Sequence, residues 1–386
     1  MTAQLDLAWQ PRAQALADEL EARGDLRDPA WKAAIAATPR HVLVPEVYAQ
    51  NHSAEWEPVD VSSPSGLDRV YSPVTLVTAL ADRGQYREAI SSSTKPDLMV
   101  RMLEALDVRD GHRVLEIGTG TGYNAALLSH RLGDERVFSV DLDAELVAPA
   151  RDRLASIGLH PTLVTRDGAE GLREHAPFDR IIATCSVPAV PRAWCQQLTD
   201  GGLLLADIRT GISAGNLALL RRNDERLEGR FTDRWATFML MRHRHQQPRT
   251  LPTSTAIDSH TRTTSVPPNP WQSNRVVWFL AHLLGLPPGS SYGMRLDPET
   301  RRPTAGTITA PDGSHAVVMH EPAADGEWLV IEAGPTSLWS AVEEAHQLWR
   351  SAGEPGWSRL GLTVEAGEQR VWIDEPAGEH RWSLAA

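Results

Sequence analysis

The sequence predicts a doubly wound α/β domain, a parallel sheet covered by helices on both faces, set between a helical N-terminal cap and a C-terminal α+β module. Three observations carry this. From 97 to 208, apolar runs of strand length alternate with stretches of helical periodicity, the pattern of parallel strands joined by crossover helices. A glycine-rich turn with Gly118, Gly120 and Gly122 links the first of those strands to the helix after it. The 386 residues also exceed one ordinary domain, since length over ~150 gives two or three.

The elements follow in order. Residues 11–23 carry Ala13, Leu16, Ala17 and Leu20 at helical spacing, and a second helical stretch, 29–37, ends before Pro39. Residues 50–72 are rich in Ser, Pro, Asp and Gly and read as loop, so 1–85 is expected to be a helical cap with a long connection. The α/β domain is assigned to 86–246. It opens with a helix at 97–106 whose Met99, Met102, Leu103 and Leu106 face inward. Strands are expected at 113–118, 137–142, 161–165, 178–184 and 202–208, with helices at 124–132, 144–156 and 191–198. Residues 247–274, dense in Pro, Ser and Thr, read as a linker. In 275–386, helices at 276–284 and 337–350 flank strand-like runs at 304–310, 315–321 and 327–333, and a strand pair closes around Ala366-Gly367. Eight of the thirteen Trp fall in the last 136 residues, a density that reads as bulky packing of a small core.

Composition narrows the function. Hydrophobic residues at 41% and charged residues at 23% are those of a globular chain and exclude wholesale disorder. A net charge of −12 argues against nucleic acid as a partner, because phosphate recognition rests on Lys and Arg clusters. Only Lys32 and Lys95 are lysine. Two cysteines, Cys185 and Cys195, make no disulfide framework and fit a reduced, cytoplasmic setting. No signal peptide and no stretch of ~18 apolar residues is present, so no membrane association is expected. The histidines, including His243 and His245, lack metal-ligand spacing tied to a site; they read as surface residues, and no metal is expected.

The glycine turn is spaced G-x-G-x-G rather than the G-x-G-x-x-G that accommodates a pyrophosphate, which disfavours a nicotinamide dehydrogenase. Glu116 stands two residues before Gly118, where an acid can approach the ammonium of S-adenosylmethionine. Asp141, ending the second strand, stands where a carboxylate can accept both ribose hydroxyls, and Asp167-Gly168, after the third, where one can accept from the adenine amine. Any one of these alone reads equally as a solvated loop acid or a helix cap. All three, following successive strands of one sheet, point to a methyl-donor site. Asp143 reads as the cap of the 144–156 helix.

Five segments in this order resemble protein-L-isoaspartate (D-aspartate) O-methyltransferases: Pro39-Arg40-His41 through Pro45, Ile90 through Pro96, Glu116 through Tyr123, Arg166-Asp167-Gly168, and Ala176 through Thr184. The resemblance covers roughly 15–245. It implies a Rossmann-like S-adenosylmethionine-dependent methyltransferase that releases S-adenosyl-L-homocysteine, with Thr119, Asn124 and Thr184 joining the residues above around the donor.

Within the family the chain is most similar to the branch that tailors ribosomally made peptides beside ATP-grasp ligases (graspetides) or lanthipeptide synthetases. Three features carry this: the Ser-rich stretch before Pro96, the run from Thr184 to Pro191, and the C-terminal region. Repair enzymes have an Ala-rich stretch where this chain has Thr184-Cys185-Ser186, a Gln or similar residue where it has Lys95, and Pro-Val-Gly where it has Asp207-Ile208-Arg209. The branch implies methylation of a specific L-aspartate in a modified precursor peptide, with aspartimide following. Repair of isoaspartate and methylation of a small-molecule carboxylate are the alternatives.

A carboxylate with pKa near 3.9 is ionised at neutral pH, so its methylation needs orientation rather than a general base. Ser91, Ser92, Ser93 and Thr94 supply hydroxyls for that, with Thr94 at the family's carboxylate-contacting position and Ser93 and Ser92 beside it. One of them can equally cap the helix that begins near Pro96. Lys95 is a candidate for steering an acidic group, or a solvated loop lysine. Cys185 is expected to be a small wall residue near the substrate. The acidic C-terminal module is expected to help recognise the peptide.

Overall fold

The computed structural model describes residues 9–84, 86–243, 259–323 and 326–384. Three helices, α1 (Trp9–Ala22), α2 (Pro29–Ala37) and α3 (Arg40–Leu43), open the chain, and Asp28 caps α2 by accepting from the Ala30 amide. A four-stranded antiparallel sheet in the order β2-β1-β3-β4 comes next, built from β1 (Val47–Gln50), β2 (Trp56–Val59), β3 (Leu76–Asp82) and β4 (Arg87–Ser93), with α4 (Pro64–Val70) between β2 and β3. Two expectations change here. Residues 50–72 are not simply loop but contain β2 and α4, and Ser91–Ser93 lie in a strand. Serine is a weak strand former, and the pairing of Ser92 with Val77 and Ser93 with Leu76 supplies what local propensity does not.

The α/β unit starts with α5 (Pro96–Ala105), Pro at its first turn, and continues through β5 (Val114–Ile117), α6 (Tyr123–Leu132), β6 (Val137–Asp141), α7 (Ala144–Ser156), β7 (Thr162–Thr165), β8 (Phe178–Val187), α8 (Arg192–Gln197) and β9 (Leu198–Gly211). Strands β5 to β9 are parallel, and β5 is buried along its whole length, as a central strand covered on both faces must be. Asp143 caps α7 by accepting from the Glu145 amide.

Two strands beyond those expected, β10 (Ala214–Asn223) and β11 (Arg226–Phe231), extend the sheet antiparallel from β9. Within the expected linker, 247–258 lies outside the described residues, while β12 (Ser259–Thr264) and α9 (Pro270–Ser273) are ordered elements. Next come α10 (Arg275–Leu284), β13 (Ser291–Leu296), β14 (Pro303–Thr309), β15 (His315–Pro322), β16 (Trp328–Ala333) and α11 (Leu338–Ser351). Strands β12 to β16 form a five-stranded sheet in the order β12-β16-β15-β14-β13.

The last strands, β17 (Leu360–Glu365), β18 (Glu368–Ile373) and β19 (Arg381–Ser383), return to the large sheet, whose full order is β19-β18-β17-β11-β10-β9-β8-β5-β6-β7. The region 275–386 is therefore not a free-standing module. Leu227 pairs with Val364 and Arg230 with Gly361, and the rings of Phe231, Phe279 and Trp357 meet at 5.4 to 5.6 Å in one core. Trp271, Trp278, Trp339, Trp357 and Trp372 are buried, which makes the Trp density a matter of packing. No described helix is long and apolar enough to cross a membrane.

Candidate active site

The C-terminal ends of β5, β6 and β8 converge on a pocket, as expected for an open α/β sheet. Its floor is Gly118 and Gly120, one side is Asp141, Leu142 and Leu146, another is Ile90, Ser91 and Ser92 from β4, and Thr184 and Cys185 close the end of β8. The fourth side, Met239 to Arg242, was not anticipated. Gly118 and Gly120 hold φ of +101° and +51°, a backbone that glycine adopts readily. A Cβ on Gly118 would lie 2.5 Å from the Thr184 hydroxyl, so the turn admits no side chain there.

Several candidates face this pocket and others support it from below. Asp141 accepts from the Gly120 amide at 3.0 Å and keeps acceptor capacity at the pocket wall. Thr184 Oγ1 reaches the carbonyls of Ile117 at 3.1 Å and Gly118 at 2.9 Å, bracing the glycine turn. Glu116 does not reach the pocket. It is 1% exposed and accepts from Asn124 Nδ2 at 2.7 Å and Ser139 Oγ at 2.6 Å, while Ser139 in turn meets Thr119 Oγ1 at 2.7 Å. Glu116, Thr119 and Asn124 thus form a buried network under the turn rather than ligands. Burial raises the Glu116 carboxyl above its ordinary value, opposed by its two donors and reinforced by Asp141, to about 7. Gly122 ends the turn as the left-handed cap of α6.

Asp167 caps the following turn through the Ala169 amide at 3.0 Å and also meets His243 Nδ1 at 3.0 and 3.2 Å; Gly168 lines the pocket. His243 is therefore not a mere surface residue, and it was missed because no spacing links it to Asp167. His245 lies outside the described residues.

The four hydroxyls sort by strand alternation. Ser91 and Ser93 are buried: Ser91 accepts from Thr78 at 3.1 Å, and Ser93 from Arg40 at 3.2 Å. Ser92 and Thr94 are half-buried, and among the described residues their hydroxyls take no partner. Arg40, fully buried with its guanidinium 5.0 Å from the Tyr123 ring centroid, also donates to the Thr94, Val70 and Ser72 carbonyls and fixes this end of β4. Lys95 is not a free steering charge: its Nζ lies 3.0 Å from the buried Asp97 carboxylate. Cys185 lines the pocket, but burial and the nearby Asp141, Asp207 and Glu116 raise its thiol far above the ordinary range, which makes it a wall and not a nucleophile. Among the described residues no cluster of His, Cys, Asp and Glu is placed to hold a metal.

A larger cavity of about 720 Å³ lies between 187–192 and 364–369; it shares Met241 with the pocket and contains none of the expected donor residues.

Residues 11–236 match the family Protein-L-isoaspartate(D-aspartate) O-methyltransferase (PCMT). The chain belongs to that family. A protein-L-isoaspartate O-methyltransferase of Methylorubrum populi is 35% identical over 219 residues, 57% of this chain and 89% of that one. One from Fervidobacterium nodosum is 38% identical over 149 residues, 37% and 70% of the two chains. A solved structure titled protein-L-isoaspartate O-methyltransferase aligns over 94% of this chain and all of its own, at 22% identity and a TM-score of 0.55. That likeness shows the fold alone, but at 94% of this chain it takes in most of the C-terminal region, so the added region does not by itself mark a peptide-tailoring branch.

As a PCMT-family protein the chain has the Rossmann-like fold of S-adenosylmethionine-dependent methyltransferases, and the pocket fits that donor. Gly118, Gly120, Asp141 and Gly168 line the pocket, while Asp167 accepts from the Ala169 amide and meets His243.

Proposed function

We propose that the protein methylates an aspartyl carboxylate within a peptide, and that its own substrate is a specific L-aspartate of a ribosomally made, modified and macrocyclic peptide of the graspetide class. The observation that carries the chemistry is the pairing of a donor pocket with an unengaged hydroxyl in its wall, Ser92, and a second unengaged hydroxyl, Thr94, two residues on. S-adenosylmethionine, when bound, supplies an electrophilic methyl. The chain's part is to hold an ionised carboxylate oxygen in line with it, for which two hydroxyl donors suffice and no base is required. One carboxylate oxygen gains the methyl and S-adenosyl-L-homocysteine leaves. The ester is a better electrophile than the acid, so the next residue's backbone nitrogen attacks it, loses its proton and expels methanol, giving aspartimide; hydrolysis then yields aspartate and isoaspartate.

The departures from the repair pattern at Lys95, at Thr184-Cys185-Ser186 and at Asp207-Ile208-Arg209 support the tailoring substrate. A second reading, repair of isoaspartate in damaged proteins, is favoured by what the relatives' names say of them and by the solved structure that shares the C-terminal fold. Incubation with the donor and either a cyclised L-Asp peptide from a neighbouring precursor gene or a generic isoaspartyl peptide separates the two. Addition of one methyl followed by methanol loss on the cyclised peptide supports tailoring. Turnover of the isoaspartyl peptide alone refutes it.

A further inference from the structure

Ser186 and Asp207 are two of the positions where this chain departs from the repair pattern, on different strands, and the fold brings them into contact. Ser186 Oγ and Asp207 Oδ2 are hydrogen-bonded, and both side chains are wholly buried. Together they grip one stretch of chain. The Ser186 amide donates to the Met239 carbonyl at 2.8 Å, the Met241 amide donates to the Ser186 carbonyl at 2.8 Å, and Ser186 Oγ lies 2.8 Å from the Phe238 carbonyl. Asp207 Oδ2 accepts from the Phe238 amide at 2.9 Å and from Thr237 Oγ1 at 3.2 Å. Met239 to Met241, held by these bonds, line the pocket together with Ile90, Ser91 and Ser92. This segment begins just after the family match ends at residue 236.

We propose that Ser186 and Asp207 are positioning residues: a buried clasp that sets the 237–241 segment as a wall of the methyl-donor pocket and thereby controls donor affinity. The inference depends on the donor site and not on which peptide is methylated.

Ser186 has one hydroxyl proton and two acceptors in reach, the Phe238 carbonyl and Asp207 Oδ2. Asp207 Oδ2 also takes the Phe238 amide and Thr237 Oγ1 as donors, so what the clasp asks of residue 207 is an acceptor oxygen at that place, while Oδ1 is buried without a partner among the described residues. An amide oxygen can stand there, so Asn is the conservative replacement.

The test is calorimetric titration of S-adenosyl-L-homocysteine into the full-length protein and its S186A, D207A and D207N variants, with Tm measured in parallel. S186A and D207A are expected to weaken binding by about tenfold or more and to raise KM for the donor, with KM for the peptide within about twofold of wild type. D207N is expected to bind within about threefold of wild type. Folded S186A and D207A that bind as tightly as wild type, merely melting lower, overturn the clasp. D207N as weak as D207A overturns the acceptor oxygen as the part of the clasp that holds the wall. Should the alanine variants not fold, hydrogen exchange of the wild type decides: S-adenosyl-L-homocysteine must slow exchange at the Phe238 and Met241 amides, and unchanged exchange there refutes the proposal.

Discussion

Glu116 makes stability depend on pH in a direction opposite to that of most carboxylates. Its carboxyl, ordinarily at 4.5, is pushed up to about 7 by burial beneath the glycine turn. Between those two values the unfolded chain has released a proton that the folded chain keeps. The folded state thus binds more protons, and stability falls as pH rises through that window. The contribution is fully present below about 4.5 and lost as pH passes 7. A shift of this size, at about 1.36 kcal/mol per pKa unit, amounts to about 3 kcal/mol. With an unfolding entropy of about 2.1 cal/mol/K per residue over a chain of this length, that is about 4 °C in Tm.

The control is Glu116→Gln, and the structure shows why it should fold. Gln can accept from Ser139, and its amide needs an acceptor, which a flipped Asn124 provides through an oxygen that now has no partner. Calorimetric Tm of wild type minus that of E116Q, measured from pH 4.5 to 8, cancels every other titration. The difference should fall by about 4 °C across the range. A flat difference would refute the assignment of a protonated, buried Glu116, and a rising one would show its carboxyl to be depressed.

Two further outcomes bear on the donor pocket. Asp141→Ala removes the acceptor of the Gly120 amide and the acceptor we propose for the donor's ribose, and should cost about 2–3 kcal/mol, roughly 30- to 150-fold in S-adenosyl-L-homocysteine affinity by calorimetry, whereas E116Q should cost far less because Glu116 lies below the pocket. Gly118→Ala places a Cβ 2.5 Å from Thr184 Oγ1 at a φ of +101°, and should weaken donor binding about 10- to 100-fold; adding Thr184→Ala should recover the steric part alone, so no recovery at all would locate the damage elsewhere.

The central sheet was legible because its signals are local. Apolar runs such as Val114 to Ile117, the three glycines and the Asp143 cap are each decided by neighbours within a turn or a strand. The same holds for the hydroxyls, where Ser91 to Thr94 were found by residue type; which of them remain available depended on Thr78 and Arg40, one from β3 and one from α3. What was not legible depends on partners distant in sequence. Val364 pairs with Leu227 across 137 positions, and no local pattern distinguishes that strand from one belonging to a separate module. Glu116 looked like a ligand because its place in the motif is visible, while the depth that buries it under Asn124 and Ser139 is not.

The joined sheet also changes what the C-terminal region can be asked to do. Read as a separate acidic module, it could be removed with donor binding intact. In the structure β17 covers the edge of β11, Trp357 packs on Phe231, and Arg230 donates to the carbonyls of Ser358, Arg359 and Asp374. Taking the region away would leave a long unpaired strand edge and expose Leu227 and Phe231, both now buried. Its first debt is therefore to folding. A role in substrate choice has to be sought instead in side chains that face outward from it, such as Glu365 and Glu368 at the rim of the larger cavity, where substitution leaves the ladder and the core untouched.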